Sequence, residues 1–108
     1  MPRFIAIYTG QPGTTRPDEA TTQKGVKAWG EWVARHQGAI VDNGAPLGKT
    51  KRVTADGVQD ASNNVAAYTV VEAEDHAAAA RMFEGHPHFT IFPGDGVDVM
   101  PLLAIPGA

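Results

Sequence analysis

The sequence predicts a single α+β domain with the element order β-α-β-β-α-β, the ferredoxin-like arrangement. Apolar runs of strand length stand near the beginning, in the middle and at the end of the 108 residues. An amphipathic helical pattern follows the first run, and an alanine-rich helical segment precedes the last one. Right-handed crossovers then place both helices on one face of a four-stranded sheet.

The first predicted element is a strand over residues 4–8 that is apolar on both faces, which is typical of a strand buried on both sides. Its alternating positions are Phe4, Ala6 and Tyr8 on one face and Ile5 and Ile7 on the other. Glycine and proline then predict a loop over residues 9–16.

The first helix is predicted to begin at Pro17 or Asp18, since acidic side chains in a first turn face the positive end of the helix dipole. Gly38 is predicted to end it. Apolar residues at helical spacing form its inner stripe: Val26, Trp29 and Val33, with Trp32 and His36 alongside. We expect both tryptophans to be core residues, with Trp29 central; the lining of a cofactor pocket is the alternative.

The next predicted strand covers residues 39–47 and runs into a Gly/Pro break. Residues 48–63 are polar and contain the turn signal Asp56-Gly57, which predicts a long hairpin or a partly ordered loop.

A third strand is predicted over residues 65–71 and is again apolar on both faces. The second helix runs from Glu74 or Asp75 to Phe83, and the last strand covers residues 97–102.

The two doubly apolar strands raise a problem of coverage, because the predicted helices cover only one face of the sheet. An apolar patch of that size is larger than soluble monomers usually leave exposed. We therefore expect a homodimer in which a second copy covers the open face, through an interface of roughly 2,000 Å² or more.

Composition excludes several classes of function. Without cysteine, the chain has no disulfides, thiolate chemistry or zinc–sulfur sites. A net charge of −3 with interspersed charges argues against nucleic acid binding. No apolar run approaches the roughly 18 residues of a membrane span. We expect a cytoplasmic protein whose single domain covers residues 1–108 and needs no cofactor.

Two histidines after the second helix are the strongest functional candidates. Gly85 suits the left-handed position that ends a helix and Pro87 prevents its continuation, so His86 and His88 are predicted on a loop. His86 suits general acid–base catalysis because histidine titrates near neutral pH; a cap on the preceding helix is the alternative. His88 is predicted to contact a substrate or, alternatively, solvent. A metal would need a third ligand that the sequence does not supply, so no metal site is expected.

Acidic and phenolic side chains supply partners for these histidines. Asp42 lies inside a predicted strand, where a carboxylate faces solvent, a pocket or a partner charge. Tyr8 and Tyr68 are predicted to orient a substrate if their sheet face lines a cavity, and otherwise to be interface tyrosines. We expect His86 to be catalytic and Asp42 or Asp18 to orient it, so these three are the predicted catalytic residues.

Five segments of the chain resemble the YCII-related family and its relatives with an Asp-Gly-Pro-Phe signature. They are VDNGAPL at 41–47, RVT at 52–54, DGV at 56–58, GHPH at 85–88 and VDVMP at 97–101. The resemblance covers nearly the whole chain and implies a dimeric α+β barrel, in which two ferredoxin-like subunits pack their sheets face to face. It also implies a pocket with a His–Asp pair, and lyase-like chemistry on small aromatic molecules is associated with part of the family.

The chain departs from that family pattern at three places. The family's histidine lies near the start of the first helix, where residues 16–19 are RPDE. Its aspartate precedes the proline after the second helix, where this chain has His86, and residues 60–63 (DASN) replace the signature. The resemblance then implies either an exchanged pair, with His86 facing Asp18, Glu19 or Asp42, or a pair that has been lost.

The expected function is the binding of a small organic molecule, with cofactor-free acid–base chemistry of lyase or isomerase type. A non-catalytic ligand-binding or assembly module is the alternative.

Overall fold

The structure is a computed structural model that describes residues 1–11 and 17–107. Residues 12–16, which include most of the predicted first loop, lie outside the described residues, as does Ala108. In the described part, the strands are β1 (Arg3–Thr9), β2 (Ile40–Pro46), β3 (Thr50–Thr54), β4 (Gly57–Ala61), β5 (Val65–Glu72) and β6 (Gly96–Pro101). The helices are α1 (Glu19–Arg35), α2 (His76–Arg81) and α3 (Pro87–Thr90).

Four of the strands form one antiparallel sheet in the order β2-β5-β1-β6. In the register of this sheet, Phe4 of β1 lies between Val71 of β5 and Pro101 of β6. The connections β1-α1-β2 and β5-α2-β6 are those of a ferredoxin-like subunit. The predicted fold class and the order of its six main elements are therefore confirmed, with the β3–β4 hairpin and α3 as additions.

The core lies between this sheet and the helices α1 and α2. Its buried apolar residues are Phe4, Ala6, Tyr8, Trp32, Val71, Ala73, Ala79 and Phe83. Trp32 comes from α1 and Ala79 from α2, and both join the cluster formed by alternate residues of β1. Both helices thus cover the same face of the sheet, as the crossover rule predicts.

The buried stripe of α1 differs from the predicted one. Its fully buried residues are Gly25 and Trp32, whereas Val26 is 62% exposed and Trp29 is only partly buried. Trp32, not Trp29, is central: it is 2% exposed, and its Nε1 donates a hydrogen bond to the carbonyl oxygen of Met82 at 2.8 Å. The prediction was wrong because glycine carries no apolar signal, so the pattern does not reveal that Gly25 belongs to the buried face.

Capping side chains explain where the helices begin. Asp18 is the N-cap of α1 and Asp75 that of α2, and each carboxylate accepts a hydrogen bond at 2.7 Å from a backbone N–H in the first turn. The predicted helix starts are confirmed. α1 ends earlier than predicted, with His36 as its C-cap, and Gly38 lies beyond it. Gly85 has a φ of 67°, which fits its predicted role as a helix stop.

Residues 48–63 form a hairpin, the first of the two predicted alternatives. β3 and β4 pair around the Asp56-Gly57 turn, and Gly57 has a φ of 115°. The cross-strand pair Val53 and Val58 is 73% and 69% exposed, so the apolar residues of the hairpin lie outside the core.

The second face of the sheet carries an apolar band. Strand register and alternation place on it Ile5, Ile7, Tyr68, Val70 and Met100. Since α1 and α2 both pack on the opposite face, neither helix covers this band. None of the helices in the described ranges is both long enough and apolar enough to cross a membrane.

Candidate functional site

The two predicted histidines lie at the start of α3 rather than on a loop. His86 is the N-cap of this helix, and Pro87 occupies its first turn, where proline's fixed φ and missing N–H favour a helix start. The Nδ1 atom of His86 accepts a hydrogen bond from the backbone N–H of His88 at 3.0 Å. The loop prediction was wrong because Pro87, which prevents one helix from continuing, also begins the next.

His86 is fully buried, with 0% of its surface exposed. Four aromatic rings surround its imidazole, with centroids 4.5 to 5.9 Å away: Tyr8, Trp29, Trp32 and Phe83. Burial, and after it the neighbouring His88 and His36 imidazoles, lowers the pKa of His86 to about 4. His86 is therefore neutral near pH 7, and its proton is on Nε2 because Nδ1 accepts a hydrogen bond.

The Nε2 atom of His86 is buried and has no hydrogen-bond partner within the described part of the chain. The nearest ring, that of Trp29, stands at 90° to the imidazole with the two centroids 4.5 Å apart. Aromatic rings interact only weakly with N–H groups. Packing, rather than a polar network, therefore holds this end of the imidazole.

The predicted acids do not hydrogen-bond to His86. Asp18 caps α1, and Asp42 is exposed, where it accepts hydrogen bonds from the N–H of Gly44 at 2.8 Å and from the Tyr68 hydroxyl at 3.5 Å. The alternative prediction for His86 also needs correction, since its side chain caps the helix that follows and not the one that precedes it.

A cavity of about 470 Å³ lies between α1 and the sheet. Its lining is mainly apolar and includes Tyr8, Val26, Trp29, Tyr68, His88 and Phe92. The three residues predicted to contact a substrate are among these six. The fold therefore brings Tyr8, Tyr68 and His88 to the lining of one cavity, although Tyr68 belongs to the second face of the sheet.

His88 is the histidine that lines this cavity. Its Nε2 atom lies 2.7 Å from the carbonyl oxygen of Thr9, and its ring centroid lies 5.3 Å from that of Tyr8. His88 is only 8% exposed, so the alternative prediction of a solvated side chain is wrong. The start of α3 turns this residue inward, which a loop assignment does not predict.

The two tyrosine hydroxyls have different partners. The Tyr8 hydroxyl hydrogen-bonds to Thr69 Oγ1 at 3.0 Å, and Thr69 donates in turn to the carbonyl oxygen of Asn43 at 3.3 Å. Burial raises the pKa of Tyr8, so its hydroxyl stays protonated. Among the described residues, the Tyr68 hydroxyl has one hydrogen-bond partner, Asp42, and the contact is long. Tyr8 is thus fixed by the protein on the helix-covered face, whereas the Tyr68 hydroxyl meets Asp42 on the second face of the sheet.

Two glycines that sequence reasoning missed pack directly against residues that line the site. A Cβ atom at Gly25 would overlap the ring of Phe92, so this ring packs directly on the backbone of α1. A Cβ atom at Gly94 would overlap the imidazole of His88. A glycine inside a helical pattern does not reveal whether another element approaches it closely, since Gly25 has such a neighbour and Gly30 has none.

A larger cavity of about 1220 Å³ lies beside the hairpin. It shares His88 and Phe92 with the smaller cavity, and polar residues such as Lys49 and Asn63 contribute to its lining. We take the smaller cavity as the candidate site because apolar walls with a few polar groups are typical of small-molecule sites. Within the described ranges, no group of three or more histidine and acidic side chains is placed to hold a metal ion.

Comparison with known proteins bears on the fold. No protein-family model matches the chain, and no curated protein matches it in sequence. Among solved structures, the chain is similar to 5-chloro-2-hydroxyhydroquinone dehydrochlorinase (TftG) from Burkholderia phenoliruptrix AC1100, in a complex with 2,5-dihydroxybenzoquinone. The TM-score is 0.58 at 15% sequence identity, over 91% of this chain and 90% of that chain. At this level of identity, the similarity shows that the two chains share an α+β fold.

Proposed function

We propose that this protein binds a small hydroxylated aromatic molecule in the cavity between α1 and the sheet. The observation that carries the proposal is the position of His88. Its imidazole lies in the wall of an apolar cavity, and its Nε2 is hydrogen-bonded to the carbonyl oxygen of Thr9. Small-molecule sites combine apolar walls, which supply affinity, with a few polar groups that orient the ligand.

The size and lining of the cavity support an aromatic ligand. Its volume of about 470 Å³ falls within the usual range for small-molecule sites. Trp29 and Phe92 in its lining offer aromatic surface on which a flat ring can pack. The similar dehydrochlorinase was solved with 2,5-dihydroxybenzoquinone, which is a small oxygenated ring. We extend this class of ligand, but not the reaction of that enzyme, to the present chain.

The chemistry that we propose is cofactor-free acid–base catalysis of lyase or isomerase type, with His88 as the group that accepts and returns a proton. Tyr8, whose ring packs beside the His88 imidazole, would hold the substrate, whereas Tyr68 belongs to the second face of the sheet. His86 was the predicted base, but a pKa of about 4 makes it a weak one, and its Nδ1 is occupied by the hydrogen bond from the backbone N–H of His88. We assign Asp18 to helix capping alone.

The alternative is a non-catalytic binding module that uses the same cavity. His88 is 8% exposed and its Nε2 is already hydrogen-bonded, which suits recognition of a ligand oxygen as well as proton transfer. Turnover, and not binding, therefore separates the two functions.

The test compares the wild-type protein with His88→Gln and with the matched control His76→Gln. His76 is exposed on α2 and contacts the carbonyl oxygen of Val99, and it does not line the cavity. The probes are 2,5-dihydroxybenzoquinone and a series of substituted phenols, with binding followed by tryptophan fluorescence and turnover by chromatography.

We expect wild type and His76→Gln to bind and convert a member of the series. Turnover should fall by roughly 10²-fold or more in His88→Gln, since general acid–base catalysis typically contributes that much. Binding without turnover in the wild type would favour the binding module. Absence of binding by every member of the series would contradict the proposal.

We also propose that the protein is a homodimer related to the YCII-related family. The support is the uncovered apolar band that includes Ile5, Ile7 and Val70, together with the resemblance at residues 85–88 and 97–101. A second copy packed on this band would bury it and complete a dimeric α+β barrel.

A further inference from the structure

We propose that Thr9 and Gly94 fix the His88 imidazole as its Nε2–H tautomer, which leaves Nδ1 as the atom that accepts a proton or hydrogen bond. The tautomer and its cause are properties of the protein alone. Only the identity of the ligand that would contact Nδ1 rests on the proposed function. Gly94 is in this view a positioning residue that acts through His88.

The carbonyl oxygen of Thr9 determines where the proton of His88 lies. This oxygen is 2.7 Å from His88 Nε2, and it also accepts a hydrogen bond from the backbone N–H of Asp95 at 2.9 Å. A carbonyl oxygen can only accept, so Nε2 must be the donor. In the Nδ1–H tautomer, two lone pairs would face each other at this distance. The neutral ring therefore carries its lone pair on Nδ1.

Gly94 closes the backbone around the imidazole. Its N–H donates to the carbonyl oxygen of His88 at 3.0 Å, and a Cβ atom at this position would overlap that oxygen as well as Nε2 and Cε1 of the ring. The φ of Gly94 is not in the left-handed region, so alanine is compatible with the local backbone. Contact with His88, rather than conformational strain, is what requires glycine here.

Two further contacts hold the histidine from its other side. The backbone N–H of His88 donates to Nδ1 of His86, and the Tyr8 ring packs beside the His88 imidazole. The pairing of β1 with β5 shifts register between Tyr8 and Thr9. Such irregularities redirect backbone groups next to functional sites. At the irregularity between Tyr8 and Thr9, the Thr9 carbonyl oxygen accepts hydrogen bonds from His88 and Asp95.

The tautomer has a directional consequence for recognition. A neutral Nδ1 accepts hydrogen bonds and cannot donate one. A ligand hydroxyl therefore gains a hydrogen bond from His88, whereas a methyl ether of the same ring does not. We infer that the cavity selects phenolic or enolic ligands over their methylated counterparts.

Nitrogen NMR tests the tautomer directly. The protein is labelled with ¹⁵N and ¹³C, and long-range ¹H–¹⁵N correlation spectra of the histidine rings are recorded above neutral pH; the His88 signals are assigned from their absence in His88→Gln. We expect the Nε2–H pattern for His88 and a scalar coupling across the hydrogen bond between its Nε2 and the carbonyl carbon of Thr9. We expect this coupling to be lost in Gly94→Ala. It should be retained in the control Gly38→Ala, where the added Cβ meets open space.

An Nδ1–H pattern, or an average of both tautomers, in the wild type would overturn the inference. Retention of the coupling in Gly94→Ala would overturn the role of Gly94. If that variant does not fold, the coupling in the wild type alone decides whether the Nε2–H tautomer is fixed. Addition of phenol and of its methyl ether, anisole, completes the test, with a shift of His88 Nδ1 expected for phenol only. Equal shifts would overturn the selectivity. A fixed Nε2–H tautomer with no response to any ring compound would leave the tautomer standing, but it would overturn the selectivity and count against the proposed function.

Discussion

Burial among aromatic rings changes what His86 contributes to the protein. On a loop, a histidine that caps a helix contributes about 1 kcal/mol or less. In the core, its imidazole fills space between Tyr8, Trp29 and Trp32, and charging it there would place a cation away from water. His86 is therefore a packing residue that must stay neutral, and its effect on stability should depend on pH.

Stability should fall in acid because of His86. The unfolded chain takes up this proton at the ordinary histidine pKa of 6.5 and the folded chain at about 4, so the unfolded state holds more protons between these values. The contribution is complete above about pH 6.5 and is lost as the pH falls towards 4, by about 3 kcal/mol in the free energy of unfolding. Urea unfolding of wild type and of His86→Asn, repeated over this pH range, measures the loss of stability.

The comparison works because asparagine keeps an acceptor for the N-cap but cannot titrate. His86→Asn should be less stable than wild type at neutral pH, since the ring is lost, and should show a smaller additional loss in acid. His76→Asn, which removes an exposed histidine from α2, is the control for the substitution itself. The same pH dependence in wild type and His86→Asn would contradict the assignment.

The two tryptophans of α1 should differ in their effects on stability. Trp32 is almost fully buried and hydrogen-bonded to Met82, so Trp32→Ala should cost roughly 3–5 kcal/mol. Trp29 is only partly buried and lines the cavity, so Trp29→Ala should cost less and should weaken ligand binding. Denaturant midpoints give the order, and a larger loss for Trp29→Ala would show that the helix faces are misassigned.

At the scale of elements, two glycines of α1 predict opposite outcomes for the same substitution. Alanine normally stabilises a helix interior by about 0.5–1 kcal/mol relative to glycine. A Cβ at Gly30 meets open space, so Gly30→Ala should gain about that amount. A Cβ at Gly25 overlaps Phe92, so Gly25→Ala should displace this ring, lose stability and reshape the cavity. Thermal unfolding measures both, and a gain at both positions would contradict the contact between α1 and Phe92.

Elements that depend on local signals could be predicted from the sequence. Asp18 and Asp75 cap the backbone of their own helices, and Gly85 adopts its own positive φ, so none of the three needs knowledge of the fold. The face that α1 buries could not be predicted in the same way. It depends on Gly25 and Phe92, which are distant in sequence and meet only in the folded chain.

Part of the candidate site could also be predicted from the sequence. Tyr8, Tyr68 and His88 could be selected because their side chains carry the needed chemistry, and the fold places all three in one cavity. The burial of His86 could not be predicted, because histidine is an intermediate residue in burial statistics. Its environment is set by rings from α1, from β1 and from the turn after α2, among them Trp32.

At the scale of the whole molecule, the folded chain is flat and extended for its length. Its radius of gyration is 15.5 Å, against about 13 Å for a compact chain of this size. Its extents are 44 × 36 × 18 Å, with the hairpin valines exposed and the apolar band on one broad face. Such a shape suits association through the open face of the sheet.

We expect the protein to sediment as a dimer at micromolar concentration. Ile5→Lys places a charge within the apolar band, so it should shift the protein towards a folded monomer, since Ile5 is already partly exposed in the single subunit. Glu31→Lys, on the exposed side of α1, introduces the same side chain and should leave the dimer intact. A stable folded monomer of wild type in sedimentation equilibrium would contradict the proposed dimer.

Binding of a small hydroxylated ring beside His88 is the central claim, and an NMR titration of the wild-type protein with 2,5-dihydroxybenzoquinone tests it most directly. We expect saturable shifts of the Trp29 indole N–H, the His88 ring and the Phe92 ring, which line the cavity together. The exposed hairpin residues Val53 and Val58 should not respond. Shifts confined to the hairpin or to the open sheet face, or no shifts up to millimolar ligand, would contradict it.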